Sequence, residues 1–416
     1  MHIPPITERK TCRVCYSDRL TPVFSLGDLY VSNFIAKEDM HKQVKAPLEL
    51  IFCEHCTLLQ LRHTAPQELL YSGFYWYRSG VTETMKKALR DITEKVEKKV
   101  KLSSGDIVLD IGSNDGTLLR TYTVPGLVTV GVEPAKNLAD EGWKGLTHFV
   151  NDFWTIGNYN TAMNGKRARV ITAIGMFYDM EDPNQFIADI ATALRDDGVF
   201  IAQLMCLKNM IDTNDVGNIC HEHLEFYSFA SLEYLFNKNG LEIYDVEINS
   251  INGGSYRVFA RRRDGAVVQT TDARARVEAV RHSEKDLNSI EAFLAFKARL
   301  EDNKQKCVAF IHDARARGKK VWVYGASTKG NTILQYYGLS GNEIEAASER
   351  SPEKWGKYTV GSMIKCVSED EARKANPDYF LVLPYAFFDE MYAREADWRA
   401  KGGQFIVPLP EFRVVK

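Results

Sequence analysis

This chain of 416 residues has no apolar run near bilayer length, which excludes an ordinary membrane-spanning helix. Met1 to Lys10 lack the apolar core of a secretory signal, so a cytoplasmic location with no membrane partner is expected. Charge of either sign is not in excess. The 53 Lys and Arg against 55 Asp and Glu leave a net −2, too little to select nucleic acid by field alone. Eight cysteines in a chain this long do not make a disulfide framework. Cys206, Cys220, Cys307 and Cys366 stand alone and read as buried thiols, with Cys220, beside His-Glu-His, the exception. Three signatures are also missing: the dinucleotide glycine fingerprint, the Gly-x-x-x-x-Gly-Lys phosphate loop, and His-Glu-x-x-His.

What is present centres on Ile107–Gly116, Ile-Val-Leu-Asp-Ile-Gly-Ser-Asn-Asp-Gly. The apolar run and the glycine after it predict a buried strand entering a tight turn, with a helix from Thr117 to Tyr122. Cofactors sit at the carboxyl end of such a strand in open α/β sheets. Asp115 near the turn would repel a pyrophosphate competing for the same N–H groups. A cationic nucleoside suits the loop better, and S-adenosylmethionine is one. Glu133 closes the next strand, Val128 to Val132, where ribose hydroxyls would be held. Asp110, Gly112, Gly116 and Glu133 together resemble the cofactor loop of class I methyltransferases.

Cys12-Arg-Val-Cys15 and Cys53-Glu-His-Cys56 are two Cys-x-x-Cys knuckles. Four thiolates close a tetrahedral zinc shell with no open position, so the site is expected to be structural. Val23–Leu26 and Leu48–Phe52 read as short strands beside it. An aromatic segment from Leu70 to Ser79 precedes a helix marked by Met85, Leu89, Ile92, Val96 and Val100. Tyr75 and Tyr77 alternate with Trp76, so their hydroxyls could point one way into a site beneath a lid; interdomain packing is the plainer alternative.

Beyond Glu133 the strand–helix alternation continues through Thr147–Val150, Val170–Ile174, the helix Ile187–Leu194 and the strand Val199–Leu204. Asp152 and Phe153 follow the first of these and could flank an adenine. Leu241–Ile248 and Ser255–Arg261 predict a closing antiparallel pair. Between them and the preceding strand lies Cys220-His-Glu-His223. Histidines two apart do not share a helix face as zinc ligands, but beside a glutamate they suit proton transfer. A polar loop capping the next helix, Ser231 to Asn237, is the bland alternative.

A charged helical connector is expected over Ala273–Arg317, with Val277, Val280, Leu287, Ile290, Leu294 and Leu300 forming a partial apolar face. A second α/β unit follows. The turn Gly325–Gly330, with Ser327, Thr328 and Lys329, suits phosphate, and Glu349 comes where a ribose-binding acid would sit. The expected architecture is α/β: a zinc module over 1–68, a central methyltransferase sheet over 69–263, and a connector with a C-terminal Rossmann-like domain over 264–416. A methyl donor, a phosphorylated partner and a proton-transfer loop fit methyl transfer to carbon on a nucleotide-activated sugar.

The whole chain resembles the bacterial nucleotide-sugar C-methyltransferases that make branched deoxysugars. The likeness rests on the paired knuckles, Leu109–Gly116, His221-Glu-His223, Asn252-Gly-Gly-Ser-Tyr-Arg257, Tyr324–Gly330 and Gly403–Pro410. It implies methylation at C-3 of a nucleotide-linked 4-keto sugar. It also implies His223 as base with Glu222 assisting, and Tyr75 or Tyr77 near the transferring methyl. Ser79 would lie with the cofactor. His221, Ser255, Arg257, Lys329 and Asn331 would lie with the sugar nucleotide. Family members carry Tyr before His-Glu-His where this chain has Cys220, so the accepted sugar can differ. O-methyl transfer to a nucleotide sugar or glycan and a non-catalytic S-adenosylmethionine-binding module are the alternatives. An oxidoreductase ranks last, because both glycine fingerprints fail. A monomer or small homo-oligomer is expected.

Overall fold

The structure is a computed structural model that describes residues 6–66, 70, 75 and 77–416. Trp76 and the residues 71–74 of the aromatic segment lie outside the described residues. Among the described residues, no helix is long and apolar enough to cross a membrane.

The central sheet has seven strands. In chain order they are Ile107–Ile111, Val128–Val132, His148–Val150, Ala168–Ile174, Leu194–Met205, Leu241–Asn249 and Ser255–Arg262. Side by side they run 3-2-1-4-5-7-6, and the seventh alone is reversed. That is the class I methyltransferase order. The first strand is wholly buried, which its uninterrupted apolar run requires of a strand covered on both faces. Helix Glu83–Lys99 covers one face with Leu89, Ile92 and Val96, set at spacings of three and four. The order reverses between strands 1 and 4, so their carboxyl ends open a crevice.

The helix expected over Thr117–Tyr122 is reduced to a 3-10 turn, Leu119–Thr121. Asp115 accepts from the backbone and hydroxyl of Thr117 and from Gly80, Arg120 reaches back to the Asp115 carbonyl, and Pro125 blocks continuation. The connector is two helices, Thr271–Ser283 and Glu291–Ala316, separated at Lys285–Asn288. Its second buried stripe is Phe293, Phe296, Leu300, Cys307 and Ile311, while Leu294 is exposed. The C-terminal sheet has six strands, ordered Cys366–Ser368, Ala347–Glu349, Val321–Tyr324, Tyr379–Val382, Gln404–Val407 and Arg413–Val415, with the last antiparallel.

The N-terminal sheet joins Leu20–Tyr30, Lys45–Cys53 and Leu59–Leu61. Its fourth strand is Glu225–Phe226, from just beyond the His-Glu-His loop. Glu225 pairs with Gln60 and Phe226 with Leu59, and Leu61 N–H donates to the Leu224 carbonyl. A segment of the central domain thus completes the sheet of the cysteine module.

Candidate active site

The two cysteine knuckles are built alike. In each, the first cysteine's carbonyl accepts from the residue four later, Tyr16 or Thr57, and that residue is left-handed (φ 63° and 60°). Cys12 and Cys56 sulfurs lie 3.5 Å apart, and Cys15 and Cys53 3.4 Å apart, with all four cysteines free of disulfides. A Zn–S bond of about 2.3 Å gives tetrahedral edges of about 3.8 Å, so small relaxations seat a zinc ion among Cys12, Cys15, Cys53 and Cys56.

The carboxyl ends of the central strands line a cavity of about 530 Å³ that also reaches helix Thr328–Tyr337 of the C-terminal domain. Asp110, Glu133, Asp179 and Glu222 give it an acidic wall, and Lys329 stands among its lining residues. Asp110 accepts from the Thr172 hydroxyl at 2.6 Å, and burial pushes its carboxyl up to about 7, with the Glu133 charge adding to the rise. Glu133 accepts one backbone N–H on each oxygen, from Asn114 and from Ala135, both at 2.9 Å. Each oxygen keeps a lone pair, the arrangement that receives a pair of ribose hydroxyls. Gly112 is left-handed at φ 68°, and a Cβ there would meet Met176 Cγ at 2.8 Å. The cavity therefore fits the cationic nucleoside expected from the sequence.

A strap crosses one side. Asn137 clasps Tyr75 through both backbone groups, Asn114 receives the Ser79 N–H and donates to the Tyr77 carbonyl, and Asp115 receives the Gly80 N–H. Tyr75, Tyr77 and Ser79 all line the cavity. Asp115, which the sequence placed beside the ligand, instead holds this strap. The clasping asparagines gave no signal of their own in the sequence.

On the opposite wall His223 is 5% exposed. Its Nδ1 lies 2.8 Å from the Asn218 carbonyl, which can only accept, so Nδ1 carries the hydrogen and Nε2 the lone pair. Tyr178 meets the imidazole edge-on, with ring centres 4.6 Å apart. Burial, then the nearby Lys329 ammonium, push His223 down to about 3. Burial pushes Glu222 up to about 7, against the pull of Lys329. Ser255 and Phe153 line the same cavity.

Other expected ligand-contacting residues lie outside the lining, each with a reason. His221 Nε2–H donates to the Ala46 carbonyl at 2.9 Å and ties the loop to the zinc module. Arg257 is 2% exposed within the sheet, donating to Gln203 and Asp91. Asn331 is buried and accepts from Ser362. Glu349 accepts from Ser351 N–H and pairs with Lys354 at 3.3 Å. Asp152 accepts from the next backbone N–H, at Phe153. Gly116 serves the turn: it is left-handed, and a Cβ would strike the Arg120 guanidinium and the Gly142 carbonyl.

Three family models cover most of the chain: a zinc binding domain over 12–71, a methyltransferase domain over 81–246 and a C-methyltransferase C-terminal domain over 250–410. The chain is 30% identical to the C-methyltransferase NovU of Streptomyces niveus over 416 residues, 99% of this chain and 98% of that protein. Among solved structures, an S-adenosylmethionine-dependent methyltransferase from Clostridium acetobutylicum matches at 14% identity and TM-score 0.33, covering 42% of this chain and 92% of its own. The magnesium protoporphyrin IX methyltransferase of Synechocystis, with S-adenosylmethionine bound, matches at 13% and 0.32, covering 42% and 79%. The sheet order, the cofactor cavity, the four-cysteine cluster and the full-length likeness to NovU converge: the chain belongs to the zinc-module, S-adenosylmethionine-dependent C-methyltransferases.

Proposed function

We propose that this enzyme methylates the carbon next to the ketone of a nucleotide-linked 4-keto deoxysugar. The observation that carries the reading is the His223 ring. Its Nδ1–H is tied to the Asn218 carbonyl, which leaves Nε2 as the basic atom, and the residue lines a cavity that runs from Asp110 and Glu133 to Lys329. Carbon is a poor nucleophile, so a base must first take an acidic proton, and a neighbouring ketone makes one available. S-adenosylmethionine, when bound, supplies an electrophilic methyl group on a sulfonium. Asp110 and Glu133 would hold its nucleoside, Phe153 its adenine side, and Tyr75, Tyr77 and Ser79 would cover it and keep water away. His223 would take the proton; burial holds it well below its ordinary value, so it is neutral near pH 7, at the cost of basicity. Glu222 would assist by orienting or balancing the imidazolium. Lys329 would meet the diphosphate, and Ser255 the sugar.

The test incubates the enzyme in D2O with a panel of 4-keto nucleotide sugars, with and without S-adenosylmethionine. Expected are deuterium at the carbon beside the ketone and, with cofactor, one added methyl on that carbon. His223→Asn should abolish both and leave cofactor binding intact. A methyl found on oxygen, or exchange that survives the substitution, would refute the reading.

A further inference from the structure

A base is half of what proton removal beside a ketone needs. The carbonyl oxygen takes up negative charge as the proton leaves, and hydrogen-bond donors fixed toward it lower the barrier. Several donors around the cavity are already engaged. The Ser255 hydroxyl donates to Ile251, the Tyr178 hydroxyl to Gly175 and the Thr172 hydroxyl to Asp110.

Gln203 is different. It lies near the carboxyl end of Leu194–Met205, lines the cavity, and is 4% exposed. Its carboxamide oxygen accepts from Arg257 Nε–H at 2.9 Å and from Asn249 Nδ2 at 3.2 Å. Arginine has no acceptor atom, so the oxygen must face it and the amide cannot be flipped. Asn249 is fixed likewise, because its own oxygen accepts from Ile251 N–H. Arg257 is in turn held by Asp91 at 2.7 Å and faces Glu247 at 3.6 Å. Both N–H bonds of Gln203 are therefore turned away from this network, and among the described residues they have no protein acceptor.

Resting on the keto-sugar reading above, we propose that Gln203 donates to the substrate's carbonyl oxygen, and that Arg257 is the positioning residue that turns the amide toward it. The proton of the adjacent carbon passes to Nε2 of His223. Its bonding pair becomes the carbon–carbon π bond, and the carbonyl π pair moves onto the oxygen that Gln203 faces. When that pair returns, the carbon takes the methyl group, the methyl–sulfur bond breaks with its electrons on sulfur, and S-adenosylhomocysteine is left. The role also explains the arginine of Asn252-Gly-Gly-Ser-Tyr-Arg257, which lies outside the cavity yet controls a residue that lines it.

The test uses Gln203→Glu. Glutamate keeps the shape and an acceptor for Arg257 and Asn249, but has no N–H and adds a charge that opposes an enolate. Gln203→Met is the uncharged second variant. Using the 4-keto nucleotide sugar that the wild-type enzyme exchanges, both should slow deuterium entry by roughly 100-fold or more. S-adenosylmethionine affinity should stay near wild type in both, and melting temperature in Gln203→Glu, whereas Gln203→Met leaves the Arg257 and Asn249 N–H groups without their acceptor and should melt lower while still folding. Arg257→Lys keeps the charge opposite Asp91 and loses the Nε–H; it should lower kcat about tenfold with KM little changed. Exchange within about threefold of wild type in either Gln203 variant would overturn the proposal, as would a matching loss of cofactor affinity, which would assign the amide to the cofactor. An unchanged kcat in Arg257→Lys would overturn the positioning role. If wild-type enzyme exchanged no 4-keto sugar at all, the keto-sugar reading would fall first and this inference with it.

Discussion

Replacing His221 with phenylalanine tests whether the zinc module sets the position of His223, the proposed base. His221 and His223 stand two positions apart, and only the second lines the cavity. His221 reaches the other way, to the Ala46 carbonyl in strand Lys45–Cys53, with both residues almost fully buried. Phenylalanine keeps most of the ring volume and deletes the donor. Losing one partner of a buried hydrogen bond costs about 1–3 kcal/mol. The strand pairing of Glu225–Phe226 with Leu59–Gln60 is untouched, so the module should stay docked while the loop loosens. A cost of about 2 kcal/mol corresponds to an upper limit of roughly 30-fold in the fraction of loops holding His223 in place. Turnover at saturating substrate should therefore fall by a factor between about 5 and 30. Zinc content and cofactor affinity should be unchanged, because Asp110 and Glu133 are held by Thr172, Asn114 and Ala135 and not by the His221 loop. Steady-state kinetics, metal analysis and cofactor calorimetry measure the three. An unchanged turnover rate would refute the anchoring argument; parallel loss of cofactor affinity or zinc would show general damage instead.

Zinc should be recovered near one equivalent, and stripping it should abolish turnover through the shared sheet; full activity in metal-free protein would defeat this. Glu133→Gln replaces one acceptor with a donor facing a backbone N–H, so S-adenosylmethionine affinity should fall roughly 10- to 150-fold by calorimetry, and a change under threefold would reject the ribose assignment. Lys329→Ala should raise KM for the sugar nucleotide far more than for the cofactor; equal effects would remove it from the phosphate site. Burial holds His221 down at about 4 against 6.5 when unfolded, so the unfolded chain binds the extra proton and stability is lost as pH falls from 6.5 toward 4. His221→Phe should therefore lose about 2 kcal/mol less than wild type between pH 7.5 and 5 in denaturant melts, and parallel pH curves would contradict it.

Much of the fold was legible because its signals are local. An apolar run ended by a glycine needs only its own ten residues to announce a strand and turn, and two Cys-x-x-Cys pairs announce a metal wherever they meet. The lining of the cavity was legible where a residue's place follows from the end of its strand, as with Asp110 and Glu133. It was not where polar partners come from far along the chain. Arg257 looked like a residue that holds the sugar nucleotide because Asp91, its partner, is 166 residues away. His221 looked like a sibling of His223 because nothing in the sequence brings Ala46 beside it. Gln203 sits in an apolar run and read as part of a core strand, and only its crossing with Arg257 and Asn249 turns its amide into a directed donor.

These same long-range contacts join the zinc module to the loop that carries His223. The segment from Val216 to Phe226 must keep a neutral imidazole buried with one nitrogen bonded and the other open, an arrangement a free loop would not hold. It is gripped from three sides. The zinc module holds it through Ala46, Gln60 and Leu61; the central domain through the Tyr178 carbonyl, which accepts from Leu224 N–H. The C-terminal domain closes the third side, where Gly217 lies so near Lys329 that a Cβ would sit 3.2 Å from its carbonyl oxygen. The knuckles are too small a segment to form a core that could bear this load, and four thiolates on one ion supply the rigidity instead. On the proposal that His223 is the base, the metal would act mechanically, fixing the strands to which the loop is tied through the His221–Ala46 bond and the Leu59–Leu61 pairing.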